Sequence, residues 1–420
     1  MMIVSSIYGV VDGVFVSNFV GKTPFTAVNF IMPFLMILGT VGFMFGAGGS
    51  ALVAKTFGEG DSKRANRIFS LLIYVSIILG VVIAALGIAF IRPVAHLLGA
   101  KGELLENCVL YARVVLIGLP AFILQMEFQS FFVTAERPNL GLYVTVGAGV
   151  TNMVLDWLFV GMFTWGLVGA AAATAISQMV GGFLPLLYFA RKNSSILKLG
   201  KTGFDGKVLL KTCTNGSSEF MSNISMSLVG MLYNIQLLSY AGEDGVAAYG
   251  VMMYVSMIFC GVFIGYSIGS APIVGYHYGA GNYDELKGLL KRSVGIIAVF
   301  SVLMVGLSLL LSSPLSSLFV GYDKELFELT KQGFNIFSFS FLFMGMAIFG
   351  SGFFTALNDG LTSAAISFLR TLVFQIAAVL IFPLLWGIDG IWWSIVAAEL
   401  AAVIVFVIFL FAKRKKYGYI

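Results

Sequence analysis

Charge is scarce in this chain. Asp, Glu, Lys and Arg make up 11% of its 420 residues and hydrophobic residues 59%, whereas a soluble domain carries roughly 25% charge. That shortage excludes an ordinary soluble domain and points to a polytopic membrane protein. Cysteine is scarcer still: Cys108, Cys213 and Cys260 show no metal-like spacing and carry no sign of function. The two histidines, His96 and His277, fall at span ends and read as interfacial groups. Neither glycine pair, Gly58/Gly60 or Gly279/Gly281, is followed by Lys-Ser or Lys-Thr, which excludes a phosphate loop. Each pair reads instead as a tight turn into an amphipathic surface helix.

Long apolar runs are what the chain has in abundance. A hydrocarbon core of ~30 Å takes ~20 residues of helix to cross, and about twelve such runs recur between short polar breaks. In lipid each backbone group must be satisfied within its own segment, so these runs are helices and the fold is all-α. Lys and Arg concentrate in alternate breaks and at Lys413–Lys416. By the positive-inside rule both termini are then cytoplasmic and the protein is a multi-pass plasma-membrane protein. The net charge of +5 is a topology signal, not a nucleic-acid footprint.

The chain also repeats itself. At an offset of 221 residues Gly48 falls on Gly269, Gly58 on Gly279, Gly60 on Gly281, Ala135 on Ala356, and Trp165-Gly166 on Trp386-Gly387, all in one ungapped register. Six spans per copy is an even number, so the halves enter the bilayer alike. They are expected to be related by a pseudo-two-fold axis along the membrane normal. The expected domains are a six-helix lobe over 1–190, a cytoplasmic linker over 191–218, a second six-helix lobe over 219–412 and a basic tail over 413–420. The first span, Met1 to Asn18, opens without a preceding polar turn, and the chain is expected to lack its natural start. It has no basic start and no cleavage site, so it is not read as a signal peptide.

An acid at membrane depth costs ~2.5–3.5 kcal/mol or more and needs a reason. Asp12, Glu127, Asp156, Glu219 and Glu399 fall within spans. Counted along their helices, Asp12, Asp156, Asn152 and Thr174 lie ~7–13 Å below the outer surface. They are either one site of hard oxygen atoms suited to Na⁺, H⁺ or each in turn, or separate polar residues solvated by a cavity. Glu127 either lines a substrate path or bonds a neighbouring helix. Arg370 and Glu399, on adjacent spans, read as a structural charge pair. Glu219, near the cytoplasmic end of span seven (Glu219 to Tyr240), reads as a helix-dipole partner.

The stretches Ser6-Ile-Tyr-Gly-Val-Val-Asp-Gly-Val-Phe-Val16, Ala135-Glu-Arg-Pro138, Asn152-Met-Val-Leu-Asp-Trp-Leu-Phe159 and Trp165-Gly-Leu-Val-Gly-Ala-Ala-Ala-Ala-Thr-Ala-Ile-Ser-Gln178 resemble the multidrug and toxic compound extrusion (MATE) family over essentially the whole chain. The resemblance implies a secondary antiporter of two six-helix lobes that expels organic cations and other amphipathic compounds in exchange for Na⁺ or H⁺. It implies a cation-coupling site at Asp12, Asn152, Asp156 and Thr174, which would also be the Na⁺ ligands. No other cofactor is implied, no nucleic acid takes part, and a monomer in the lipid bilayer is expected.

The chain departs from one branch of the family, which carries second-lobe acids on spans seven and ten. Asp12 shifted by 221 lands on Tyr233, beside Asn234, and the tenth span, Gln332 to Thr355, holds no acid. Tyr233, Asn234, Glu127 and Glu399 are candidates for the substrate path. A related lipid-linked oligosaccharide flippase would need several cationic cavity residues, and only Arg370 and Arg113 are available. An intramembrane aspartyl hydrolase built on Asp12 and Asp156 would need a Gly-x-Gly-Asp signature, which is absent.

Overall fold

The computed structural model describes residues 22–321 and 323–419. Those residues are helical almost throughout, with no strand among them. The helices are α1 (Lys22–Gly58), α2 (Ser62–Leu97), α3 (Gly102–Thr134), α4 (Pro138–Asp156), α5 (Gly166–Ala190), α6 (Gly206–Gly242) and α7 (Asp244–Gly279). They continue with α8 (Tyr283–Val320), α9 (Lys324–Ser338), α10 (Phe341–Ala356), α11 (Gly360–Phe368), α12 (Gln375–Trp386) and α13 (Ile388–Tyr417). Among the described residues ten helices are long and apolar enough to cross a membrane, or eleven if the bent pair α9–α10 counts as one span. The span at Met1 to Asn18 lies outside the described residues.

The polar breaks start these helices. Asp61 accepts from the Arg64 backbone N–H at 2.9 Å, Asn282 from Glu285 at 3.3 Å, and Asp323 from Glu325 at 2.9 Å. Each thereby satisfies a donor that the first turn leaves without a partner. Gly60 and Gly281 take positive φ angles of 85° and 67° in matching turns. The helices that follow run unbroken from Ser62 to Leu97 and from Tyr283 to Val320. The amphipathic stretch after each glycine pair is thus the first turns of a spanning helix rather than a separate surface helix.

Two compact units divide the chain at Gly216/Ser217, inside α6. In the first, close backbone approach holds α1, α3 and α5 together. A Cβ on Gly42 would stand 2.4 Å from the Ile123 carbonyl oxygen, and one on Gly182 would stand 2.3 Å from that of Ala121. Small residues at such crossings are what lets helices associate in lipid, where dispersion and backbone proximity replace the hydrophobic drive. Phe69, Phe128, Phe131 and Phe189 cluster in the core of this unit with ring centroids 4.9–5.5 Å apart.

The stretch expected to be a cytoplasmic linker is docked on the first unit. Lys198 N–H donates to Asn66 Oδ1 at 2.6 Å, Gly200 N–H to Ser70 Oγ at 3.0 Å, and Thr202 Oγ1 to the Arg67 carbonyl at 3.0 Å. Helix α6 then begins at Gly206, inside the expected linker, and packs on α1 so tightly that a Cβ on Gly216 would lie 2.0 Å from the Met44 carbonyl oxygen.

The second unit has its own core around Trp392, Phe334, Phe337, Phe341 and Phe354. Span ten is not one helix: α9 and α10 meet at Phe339–Ser340 with a 48° bend. Buried hydroxyls join α10 to α11, with Ser351 2.9 Å from Ser363 and 2.7 Å from Ser367, and Thr355 2.7 Å from Ser363.

The two units are not in one ungapped register. The turn glycines Gly60 and Gly281 stand 221 residues apart, as do Gly166 and Gly387. Between them, the helix-ending residues with positive φ are Glu136 and Asn358, 222 apart. Their turns match bond for bond: Glu136 N–H donates to Val133 O and Arg137 to Phe132 O, as Asn358 donates to Thr355 O and Asp359 to Phe354 O. One extra residue therefore enters the second copy before this turn and is lost again after it.

The basic tail is also folded. Helix α13 runs on to Tyr417, and both Tyr417 and Tyr419 are buried. Tyr417 donates to Asp359 Oδ2 at 2.8 Å, with Lys413 Nζ at 3.5 Å from the same atom. Burial pushes the Asp359 carboxyl up, but the bonds from Tyr417 and Thr362 and the charge of Lys413 outweigh it and hold the group below its ordinary value. A depressed carboxyl contributes stability above its unfolded pKa of ~3.9, and that contribution is lost as pH falls through the folded value. Asp359→Asn keeps the helix cap and removes the charge, so it is expected to cost about 1 kcal/mol at neutral pH. Thermal unfolding of both proteins should show that gap closing in acid. A gap that persists unchanged in acid would show that the charge is not its source.

Candidate functional site

Pro138 at the first turn of α4 fits where its missing N–H costs nothing, and from there Asn152 and Asp156 fall one turn apart on one face. Asn152 is 2% exposed and Asp156 fully buried. The neighbouring hydroxyls are already committed, Thr145 to Gly141 O and Thr151 to Gly147 O. Thr174 and Gln178 lie one turn apart on α5, which packs against α4. The Asn152 Oδ1, Thr174 Oγ1 and Gln178 Oε1 atoms are buried and accept no hydrogen bond. The Asn152 oxygen lies one turn from the buried Asp156 carboxyl, while the Gln178 oxygen faces α3, where a Cβ on Gly118 would stand 2.8 Å from it. A carboxyl with a neutral oxygen near it suits a small cation or a proton carrier. Asp12, the fourth expected member, lies outside the described residues.

The backbone is unusual just beyond Asp156. A wider π-helical stretch occupies Trp157–Met162, and π turns inside helices recur at functional sites. Phe159 stacks on Trp165 at 4.7 Å across the connection to α5, where Thr164 and Gly166 take positive φ.

The second unit holds a different set of buried polar groups. Arg370 sits on a second π-helical stretch, Leu369–Phe374, and binds Glu399 through two bonds, Nε to Oε2 at 2.8 Å and Nη2 to Oε1 at 2.9 Å. The two side chains are 15% and 4% exposed. Glu219 lies within electrostatic range of the same guanidinium. Because α6 begins at Gly206, Glu219 stands ~20 Å inside its helix and is not a partner for a helix N-terminus.

The other candidates are dispersed. Tyr233 is buried, donates to Gln375 Oε1 at 2.7 Å, lies 2.8 Å from Ser394 Oγ, and stacks on Tyr249. Asn234 is exposed, and Glu127 is fully buried in the first unit. At the repeat positions of Asn152, Asp156 and Thr174 stand Val373 or Phe374, Ala377 or Ala378, and Ile395 or Val396, depending on register. All are apolar, so this oxygen set belongs to the first unit. Gln178 escaped the sequence reading although it falls one turn beyond Thr174, the spacing that had linked Asn152 to Asp156. Gln375 and Ser394 carried no such signal.

The MatE family model matches residues 1–158 and 220–381. The multidrug export protein MepA of Staphylococcus saprophyticus subsp. saprophyticus is 26% identical over 404 residues, covering 94% of this chain and 87% of that protein. MepA of Staphylococcus aureus strain NCTC 8325 is 25% identical over 401 residues, covering 94% of this chain and 87% of its own length. The solved outward-facing structure of a multidrug resistance MATE family transporter of the MOP superfamily superposes with a TM-score of 0.94 at 24% identity. It covers 100% of this chain and 95% of its own. With both copies of the repeat matched and the helical fold in agreement, this chain belongs to the MatE family of multidrug efflux transporters.

Proposed function

We propose that the protein is a secondary antiporter that exports organic cations and other amphipathic compounds in exchange for Na⁺ or H⁺. The observation that carries this reading is the buried carboxyl of Asp156, one turn from the orphaned amide oxygen of Asn152. A carboxylate at membrane depth attracts a cation, and neutral oxygens beside it take the place of that cation's water. With Asp12 from the first span, the site would hold two carboxyls, an amide and a hydroxyl. Binding of the ion from outside favours the geometry that releases the exported compound, and its discharge inside restores the loading state. The distribution of basic residues supports a plasma-membrane orientation with both termini cytoplasmic. The names of the relatives as multidrug export proteins support the substrate class. No catalytic step is needed, since the ion gradient supplies the work.

A lipid-linked oligosaccharide flippase is the weaker reading, because Arg370 is bound to Glu399 and is not free to hold a pyrophosphate. Dye efflux from proteoliposomes, with Na⁺ and pH gradients imposed separately, tests the proposal. The gradient that alone drives efflux identifies the coupling ion, and efflux that responds to neither overturns the antiport reading.

A further inference from the structure

Glu127 is a buried carboxyl that the fold itself does not require. It lies seven residues before the end of α3, ~10 Å from the turn into α4, whereas Asp156 lies ~27 Å beyond that turn along α4. The two acids therefore occupy different depths of the first unit. Glu127 is 0% exposed, and neither of its carboxyl oxygens has a hydrogen-bond partner. Helix α1 presents Gly46 to it, where an added Cβ would stand 3.2 Å from the Glu127 Cα. Helix α2 presents Ser76, whose own hydroxyl is buried and has no partner. Ser76 is the one side chain placed to hydrogen-bond the Glu127 carboxyl, and no charged group acts on that carboxyl among the described residues.

An ionised carboxylate without a hydrogen bond or a counter-charge costs several kcal/mol in a dry interior, so this group needs a proton or a cation. One carboxyl and one hydroxyl are too few oxygens to replace the hydration shell of an alkali ion, but they suit a proton, which needs one bond and one acceptor. The repeat supplies a built-in comparison. Its second copy places Ile348 or Phe349 opposite Glu127 and Ile297 opposite Ser76, and Phe349 and Ile297 are buried. The same helix crossing is thus stable when filled with hydrocarbon, and the polar pair in the first unit answers to something other than packing.

We propose that Glu127 is a second proton-binding site of the first unit, holding a proton between its carboxyl group and the Ser76 hydroxyl, at a depth distinct from the Asn152–Asp156 site. Its exchange of that proton during transport rests on the antiport reading; its occupancy by a proton does not. Infrared difference spectroscopy of the full-length protein in proteoliposomes, between H₂O and D₂O at neutral pH, reads the carbonyl band of a protonated carboxyl directly. Glu127→Gln is expected to lose a component of that band that Asp156→Asn retains. Ser76→Ala, which keeps the acid and removes its acceptor, is expected to shift the same component. A spectrum unchanged in Glu127→Gln overturns the proposal, and so does one unchanged in Ser76→Ala. If neither gradient drives efflux in the wild type while the Glu127 component is present, the antiport reading fails and the proton site stands.

Discussion

Asp156→Asn is expected to abolish gradient-driven efflux while the protein still inserts and folds. The amide keeps the size and polarity of the carboxyl, so the packing of α4 is preserved, but the charge proposed to attract the coupling ion is gone. Asp12→Asn should behave alike if the two acids share one ion. Thr174→Ala removes a neutral oxygen and is expected only to raise the ion concentration needed for half-maximal efflux. Efflux by correctly inserted variants is the measurement. Wild-type ion dependence in both Asp→Asn proteins would show that the first-unit acids do not couple transport.

Arg370→Ala is expected to be the most damaging single change to the fold of the second unit. It strands Glu399, 4% exposed and otherwise held by two charge-assisted bonds, at a cost of about 3–5 kcal/mol. Combining it with Glu399→Gln removes the stranded charge, so the double variant should recover much of the folded yield lost by the single one. Yield and thermal midpoint of the purified proteins read this out. Equal losses for the single and double variants would show that the two residues act independently.

These sites differ in how readable they were. The apolar runs reveal the spans because lipid permits little else, and the spacing of Asn152 and Asp156 places them on one face before any coordinate is known. The start of α6 is hidden because Lys207, Lys211, Thr212, Asn215 and Ser218 look like solvated linker, yet Thr212, Asn215 and Ser218 are buried. Asn215 donates to the Gly48 carbonyl at 3.3 Å, a contact between residues far apart in the chain. The bend at Phe339–Ser340 is hidden because no proline or glycine marks it. The tail reads as basic because Lys413–Lys416 dominate it, while Tyr417 and Tyr419 just beyond them are the buried side chains. Neither π-helical stretch leaves a signature in hydropathy, since widening one turn changes no residue's polarity.

The residue gained before Asn358 and lost by Gly387 gives the duplication a history. A helical residue occupies about 100° of arc, because 3.6 residues make a turn. An inserted residue that is not absorbed locally therefore turns every later side chain onto a new face until a deletion restores the phase. The phase is restored between Glu136 and Gly166 in the first copy, an interval that includes Asn152 and Asp156. After such a pair of events, selection on one copy no longer constrains the matching faces of the other. One copy could then keep its buried oxygen atoms while its twin exchanged them for hydrocarbon, without disturbing the turns that both still share.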